Sequence, residues 1–128
     1  MANGFLSGKY GKGMQFDKKY DYRSNMPQFT DEAVEKNKDL IKLLETVAES
    51  AGATSAQISL AWMLCKKPWI VPIPGSRKLE CLQENAGATS IRLSSEEVQA
   101  LDDALDRIEM SEVFEGSRIV KNKTNEAE

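Results

Sequence analysis

The sequence contains no histidine in its 128 residues. Within the chain itself, this absence excludes serine or cysteine nucleophiles activated by histidine, zinc sites with histidine ligands, and an imidazole general base. Any proton transfer near neutral pH would have to use another side chain, because imidazole is the group that ordinarily titrates there.

Cysteine and long apolar runs are also scarce. Cys65 and Cys81 are the only cysteines; they are too few for a disulfide scaffold and indicate a reducing compartment. No apolar run approaches the roughly 20 residues that cross a membrane, and no charged stretch leads into an apolar one near the N-terminus, as in a signal peptide. We therefore expect a cytoplasmic protein with no membrane partner.

The chain has no excess of positive charge. It carries 17 basic and 20 acidic residues, for a formal net charge of −3. Sequence-independent nucleic-acid binding needs a basic surface, so we expect no nucleic-acid partner. The length suits one domain of ordinary size.

The first half of the chain changes from loop to helix. Residues 1–30 are glycine-rich and show no sustained hydrophobic period, which predicts a long loop with at most a short helical turn. Residues 31–67 show helical spacing, which predicts two helices separated by Gly52 as a C-terminal cap. Thr54 and Gln57 form a capping box at the start of the second, which is apolar on most sides and should be buried.

The second half adds one strand to the helices. Residues 69–73 form a β-branched run, which predicts a short strand, and a turn at Gly75 then leads into a helix from about residue 78 to 85. A capping box of Ser94 and Glu97 begins a last helix with an apolar stripe over residues 98–108. We expect Trp62 and Trp69 to be core residues and the acidic cluster Asp102, Asp103 and Asp106 to be a solvated surface.

A mainly helical chain with one strand cannot form a sheet by itself, which suggests part of a larger alternating β and α architecture. Four segments point to a family. They read ANGFLSGKY at residues 2–10, DYRSNMPQF at 21–29, TSAQISLAWML at 54–64, and WIVPIPGSRKLECLQENAGA at 69–88. In this order and spacing they resemble the aldo-keto reductases, in particular the bacterial and potassium-channel-β-like branch.

The resemblance implies a (β/α)8 barrel that binds NADPH across the C-terminal face of its strands. The chain would hold only the last strand, the last helices and the loop after the seventh strand. On this basis residues 1–30 are a cofactor-loop segment, 31–110 the last helices and strand, and 111–128 a C-terminal tail. The family's catalytic tyrosine, aspartate, lysine and histidine would lie outside this chain, so we expect no catalytic residue and no metal ligand here.

The start of the helix near residue 78 is the clearest candidate binding site. Backbone N–H groups are unpaired at a helix N-terminus, and a neighbouring arginine can grip a phosphate. The same pattern also fits an ordinary helix start with a solvated arginine. The resemblance implies that Gly75, Ser76 and Arg77 are cofactor-binding residues, with Ser76 and Arg77 at the adenosine 2′-phosphate, and that Glu84 and Asn85 bind the adenine. Cys81 stands where many members carry an arginine or glutamine.

The first loop holds further candidates. The resemblance implies that Ala2, Asn3 and Gly4 approach the pyrophosphate and ribose through the backbone, and that Lys9 and Arg23 contact the cofactor phosphates. The alternative is an ordinary mobile loop with exposed basic side chains. The family's serine and proline ahead of this loop are absent, and Met1 stands where its leucine would be.

Two functions follow from these observations. The first is the NADP-binding C-terminal portion of an aldo-keto reductase, inactive alone, whose full-length parent reduces aldehydes or ketones. The second is a non-enzymatic helical interaction module. In that case self-association, or a complementing portion of the barrel, would bury the apolar stripes on residues 40–51 and 98–108.

Overall fold

A computed structural model describes residues 2–107 of the chain. Within that range no helix is both long enough and apolar enough to cross a membrane. The α-helices are α1 (Asp31–Lys36), α2 (Lys38–Ala51), α3 (Ser55–Lys66), α4 (Leu79–Gly87) and α5 (Ser95–Asp106). Short 3-10 helices cover Ala2–Ser7, Tyr22–Asn25, Pro27–Phe29 and Ala88–Ser90.

The core forms where α2, α3 and α5 pack together. Leu44 of α2, Ile58 of α3 and Leu101 of α5 are each completely buried. The α3 helix is buried around most of its circumference, as its apolar sequence predicts. Trp62 lies in this core, which confirms its predicted role.

Asp102 joins α3 to α5 at the edge of this core. Its Oδ1 accepts hydrogen bonds from the indole Nε1 of Trp62, at 2.7 Å, and from Nζ of Lys66, at 2.8 Å. The buried indole N–H therefore has a partner, as such groups require. The prediction that the whole acidic cluster is solvated is wrong at Asp102, which is half-buried.

The stripes on residues 40–51 and 98–107 face each other inside the chain. Leu40, Leu44 and Val47 belong to one buried cluster with Leu101. Self-association is therefore not needed to bury these stripes, because each already covers the other. Self-association itself stays a prediction. Residue 108, at the end of the second stripe, lies outside the described residues.

Local signals set most helix ends. Both capping boxes form, with Thr54 and Ser94 each accepting a hydrogen bond from the backbone N–H three residues on. Gly52 ends α2 in the left-handed conformation, with φ of 61°. The helix predicted before Gly52 is in fact two, because the chain breaks at Asn37, whose side chain donates to the carbonyl oxygen of Ala33 at 2.7 Å.

The predicted strand at residues 69–73 does not form. Residues 2–107 contain no strand, and residues 70–76 have no regular secondary structure. Trp69 is 74% exposed, so the prediction that it is a core residue is also wrong. A strand requires a second backbone beside it, and no described segment runs alongside this one.

Three short 3-10 helices form within residues 2–29. The long loop predicted for this segment is therefore confined to residues 8–21. The last turn predicted for α5, at residues 108–110, and the tail predicted for 111–128 lie outside the described residues. The division of the chain into three segments stays a prediction.

The cap of α3 depends on the side chain of Thr54. Its side chain caps the helix and also donates to Oε1 of Glu84 at 2.7 Å. We expect Thr54→Ala to lower the free energy of unfolding by about 1–2 kcal/mol in urea titrations followed by circular dichroism.

Thr46→Ala is the matched control, since Thr46 is exposed within α2 and its hydroxyl only donates to the carbonyl oxygen of Lys42. Alanine has the higher helix propensity, so we expect little change or a slight gain. Equal losses in both variants would contradict the account of the cap.

Candidate functional site

An open cleft of about 790 Å³ runs between the N-terminal segment, α3 and the irregular segment before α4. Leu60 and Met63 of α3 line its apolar side. Its other lining residues come from two loops: Gly4, Tyr20, Asp21, Tyr22 and Arg23 from the first, and Pro72, Ile73, Pro74, Gly75 and Arg77 from the second.

The cleft brings together part of the predicted cofactor set. Gly4, Arg23, Gly75 and Arg77 line it although they are far apart in the sequence. The remaining predicted residues with described side chains do not line it; they are Lys9, Ser76, Glu84 and Asn85. Ala2 and Asn3 lie in the first 3-10 helix, beside Gly4.

Ser76 and Arg77 precede α4 rather than begin it. Lys78 is the N-terminal cap residue, with extended backbone angles, and the helix starts at Leu79. The hydroxyl of Ser76 accepts from the backbone N–H of Lys78 and donates to its carbonyl oxygen, each at 3.1 Å. The Ser76 side chain therefore shapes the turn that leads into α4.

Two arginines, Arg23 and Arg77, line the cleft, and Arg77 is the one whose side chain is free to bind a ligand. Its side chain is exposed, and within residues 2–107 it has no ion pair or hydrogen bond. Gly75 beside it is equally open, because a Cβ built there would meet nothing within 4 Å. The backbone and the guanidinium can therefore both be approached from the cleft.

Arg23, by contrast, is held by its neighbours. Its Nε donates to both carboxylate oxygens of Asp21, at 2.9 and 3.1 Å, and its Nη1 donates to the hydroxyl of Tyr10 at 2.7 Å. The guanidinium lies over the rings of Tyr10 and Phe16, at 4.9 and 4.6 Å from their centroids.

These contacts shift the titration of both partners. The hydrogen bonds that Arg23 donates, first to Asp21 and then to Tyr10, raise the pKa of Arg23 above its usual range, against the opposing effect of burial. The hydrogen bond from the Arg23 side chain lowers the pKa of Asp21 below its ordinary value of 3.8. The positive charge of Arg23 is thus balanced within the loop, whereas that of Arg77 is not.

An aromatic cluster that the sequence did not predict supports this loop. Phe29 makes edge-to-face contacts with Phe5, Tyr10 and Phe16, with ring centroids 4.8–5.8 Å apart. Gly4 fits against it with φ of 96°, and a Cβ there would lie 2.8 Å from Cε2 of Tyr10. Glycine is therefore required at this position by the Tyr10 ring as well as by the backbone angle.

The predicted adenine-binding end of α4 is fixed to the start of α3. Glu84 accepts from the Thr54 hydroxyl at 2.7 Å, and its carbonyl oxygen accepts from Nε2 of Gln57 at 2.9 Å. Asn85, next to it, is 9% exposed. Gly87 allows Gln57 to approach α4 closely, because a Cβ at this position would lie only 2.7 Å from Nε2 of Gln57.

Comparison with known proteins identifies relatives of this sequence. A sequence model of the aldo/keto reductase family matches residues 1–106. The aldo-keto reductase str7 of Strobilurus tenacellus is 37% identical over 101 residues, which cover 79% of this chain and 30% of that protein. No solved structure matches the chain.

Two further relatives have similar names. The aldo-keto reductase yakc of Schizosaccharomyces pombe, whose name specifies NADP(+), is 34% identical over 110 residues, which cover 86% of this chain and 32% of that protein. A probable aldo-keto reductase of Glycine max is 37% identical over 79 residues, which cover 62% of this chain and 23% of that protein. The chain therefore spans about a third or less of the length of these relatives.

The Asp21–Arg23 pair predicts a dependence of stability on pH. Because the pKa of Asp21 is lowered on folding, its stabilising effect is fully present above its ordinary pKa of 3.8. That effect is lost as the pH falls through the lowered folded value. In urea titrations at a series of pH values, we expect the stability difference between the wild type and Asp21→Asn to be constant above about pH 5 and to shrink in stronger acid.

Glu49→Gln is the control, since Glu49 is exposed on α2 and its carboxylate has no ion-pair partner among residues 2–107. If the stability difference between the wild type and Asp21→Asn stays constant in strong acid, the ionised carboxylate of Asp21 does not stabilise the fold.

Proposed function

This chain belongs to the aldo/keto reductase family, and from that premise we propose that it is the NADP-binding C-terminal portion of a (β/α)8 reductase. We assign it to the bacterial and potassium-channel-β-like branch on the four segments that carry the resemblance. Membership of the family implies a (β/α)8 fold, and the helices of this chain are what the last part of such a fold would contribute. Its two free cysteines, Cys65 and Cys81, suit a reducing, cytoplasmic setting.

The exposed guanidinium of Arg77 is the observation that carries the proposal. It lies at the rim of the cleft beside the open backbone of Gly75. A phosphate offers oxygens that an arginine can bind through two parallel N–H groups. The first backbone N–H groups of α4 lie directly after it and favour negative charge. These donors fit the 2′-phosphate that distinguishes NADPH from NADH.

The α4 helix would hold the adenine. Glu84 is an acceptor and Asn85 both a donor and an acceptor, which suits the amino edge of the base. The bonds from Thr54 and Gln57 hold this end of α4 in place before any ligand arrives. Glu84 would accept from adenine while still bound to Thr54, since a carboxylate has several lone pairs.

The first loop would contact the phosphates less directly. Gly4 lines the cleft, with Ala2 and Asn3 directly before it in the chain, and Lys9 is exposed. Arg23 would reach a phosphate only by sharing the guanidinium that now binds Asp21 and Tyr10. We therefore assign Arg77 the larger role in binding and Arg23 the role of fixing the loop.

The cofactor, when bound, supplies the hydride for reduction of a carbonyl group. We place no catalytic residue in this chain, because the family's catalytic histidine has no counterpart and none of the tyrosines lies in a matching motif. Reduction of aldehydes or ketones would therefore require the remainder of a barrel.

Arg77→Gln tests the assignment by calorimetric titration with NADPH and with NADH. We expect the wild-type chain to prefer NADPH. The substitution should weaken NADPH binding roughly tenfold or more, by loss of a charge-assisted contact, and should leave NADH binding almost unchanged.

Arg92→Gln is the matched control, because Arg92 is an exposed arginine outside the cleft whose Nη1 donates to the carbonyl oxygen of Thr89. Equal effects of the two substitutions would contradict the assignment. Carbonyl reduction by the pure chain above a blank without protein would contradict the claim that it is inactive alone.

A further inference from the structure

The capping box of α3 extends beyond its own helix to Glu84 of α4. The Thr54 hydroxyl accepts a hydrogen bond from the backbone N–H of Gln57 at 3.2 Å and donates its own proton to Oε1 of Glu84 at 2.7 Å. The Gln57 side chain accepts from the backbone N–H of Thr54 at 3.1 Å through Oε1, and it donates to the backbone carbonyl oxygen of Glu84 at 2.9 Å through Nε2. Each side chain of the box thus uses one group for the cap and a second for Glu84.

The second capping box of the chain makes no such connection. Ser94 and Glu97 satisfy each other at the start of α5, by hydrogen bonds of 3.1 and 2.8 Å, and neither side chain bonds to another helix in the part of the chain that the structure describes. A glutamate carboxylate only accepts, so Glu97 cannot donate to a neighbouring helix as Gln57 does. The residue types at Thr54 and Gln57 therefore do more than a cap requires, because they also fix Glu84 relative to α3.

The bond from Thr54 distinguishes the two carboxylate oxygens of Glu84. Oε1 receives the hydroxyl proton, whereas Oε2 has no hydrogen-bond partner within residues 2–107. The side-chain amide of Asn85, the next residue, also has no partner in that range, although Asn85 is only 9% exposed. A buried amide ordinarily has a hydrogen-bond partner. Side by side, the two residues therefore offer a ligand one acceptor from Glu84, and one donor and one acceptor from Asn85.

These groups match adenine and reject a purine with an oxygen at position 6. On the edge that holds position 6 and N7, adenine presents an amino donor and an acceptor, whereas a 6-oxopurine presents two acceptors. The carboxylate of Glu84 can pair with the amino group but repels the oxygen, while the amide of Asn85 can donate to N7. Resting on the proposed function, we infer that Thr54 is a positioning residue that selects adenine over a 6-oxopurine in the cofactor, by holding the Glu84 carboxylate against the amino group.

The restraint on Glu84 is what makes this selection effective. Glu84 is only half-buried, and an unrestrained glutamate side chain has several rotamers. The bond from Thr54 orders the carboxylate before the ligand arrives, so less conformational entropy is lost when the amino group binds. The same bond prevents the carboxylate from turning away when an oxygen occupies position 6. Without it, both advantages of adenine disappear, and the two kinds of base should bind with similar affinity.

Calorimetric titration of the full 128-residue chain with NADP+ and with its hypoxanthine analogue measures the selection. An oxygen replaces the 6-amino group in the analogue, so the ratio of the two dissociation constants reports on that position. We expect the wild type to bind NADP+ roughly tenfold or more tightly than the analogue. Thr54→Val removes the hydroxyl at nearly the same volume and should bring the ratio to within about threefold of one. Thr54→Ser keeps the hydroxyl and should keep the wild-type ratio.

Ser94→Ala is the matched control, because it removes the capping hydroxyl of α5 and no contact to Glu84. It should lower the free energy of unfolding and leave the ratio unchanged, which separates loss of a cap from loss of selection.

Glu84→Gln tests the same inference without removing a cap. Its side-chain carbonyl oxygen would accept from Thr54, so its NH2 group would face the base. An amide N–H donates to an oxygen but not to an amino group, and the preference should therefore shift from NADP+ toward the hypoxanthine analogue. Circular dichroism checks that each variant is folded.

The outcomes separate this inference from the proposed function. If the wild type binds NADP+ but its ratio is near one, or if Thr54→Val keeps the wild-type ratio, the inference is overturned and the proposed function stands. An equal fall in the ratio for Ser94→Ala would overturn it too. If Thr54→Val does not fold, an unchanged preference of Glu84→Gln for NADP+ overturns it. A wild type that binds neither nucleotide overturns the proposed function and this inference together.

Discussion

The burial of α3 is the constraint on which the rest of the structure depends. This helix is apolar on nearly every side, so neighbouring elements must surround it. Packing α2 and α5 against it buries Leu44, Ile58 and Leu101 completely. The first segment covers another side, where the Ser59 hydroxyl donates to the carbonyl oxygen of Leu6 at 3.1 Å.

The position of α3 also explains where the candidate cofactor cleft lies. Leu60 and Met63 form its apolar side, and the capping residues Thr54 and Gln57 hold the end of α4 that we propose binds the adenine. One helix thus orients both regions assigned to the cofactor. The two arginines at the cleft have different roles. The charge of Arg23 is neutralised by Asp21, and Arg23 stabilises the loop, whereas Arg77 stays available to a ligand.

Local chemistry made the helices predictable from the sequence. Capping boxes at Thr54 and Ser94 and the left-handed glycine at Gly52 act within a few residues, so their signals are visible without a structure. The grouping of Gly4, Arg23, Gly75 and Arg77 came from resemblance to a family, since nothing local brings such distant residues together.

The features that the sequence did not predict depend on long-range contacts. Phe5, Tyr10, Phe16 and Phe29 have no common spacing, and their packing appears only once the loop closes around Arg23. The β-branched run at residues 69–73 has the composition of a strand, but strand formation also needs a second backbone that the described chain does not supply.

The central claim is that the region around Gly75–Arg77 and Glu84–Asn85 binds an adenosine carrying a 2′-phosphate. Amide chemical shifts of the ¹⁵N-labelled chain, titrated with adenosine 2′,5′-bisphosphate and separately with adenosine 5′-monophosphate, test it most directly. We expect saturable shifts at these residues with the bisphosphate and much weaker binding of the monophosphate. Identical responses to both nucleotides, or shifts confined to other parts of the chain, would contradict it.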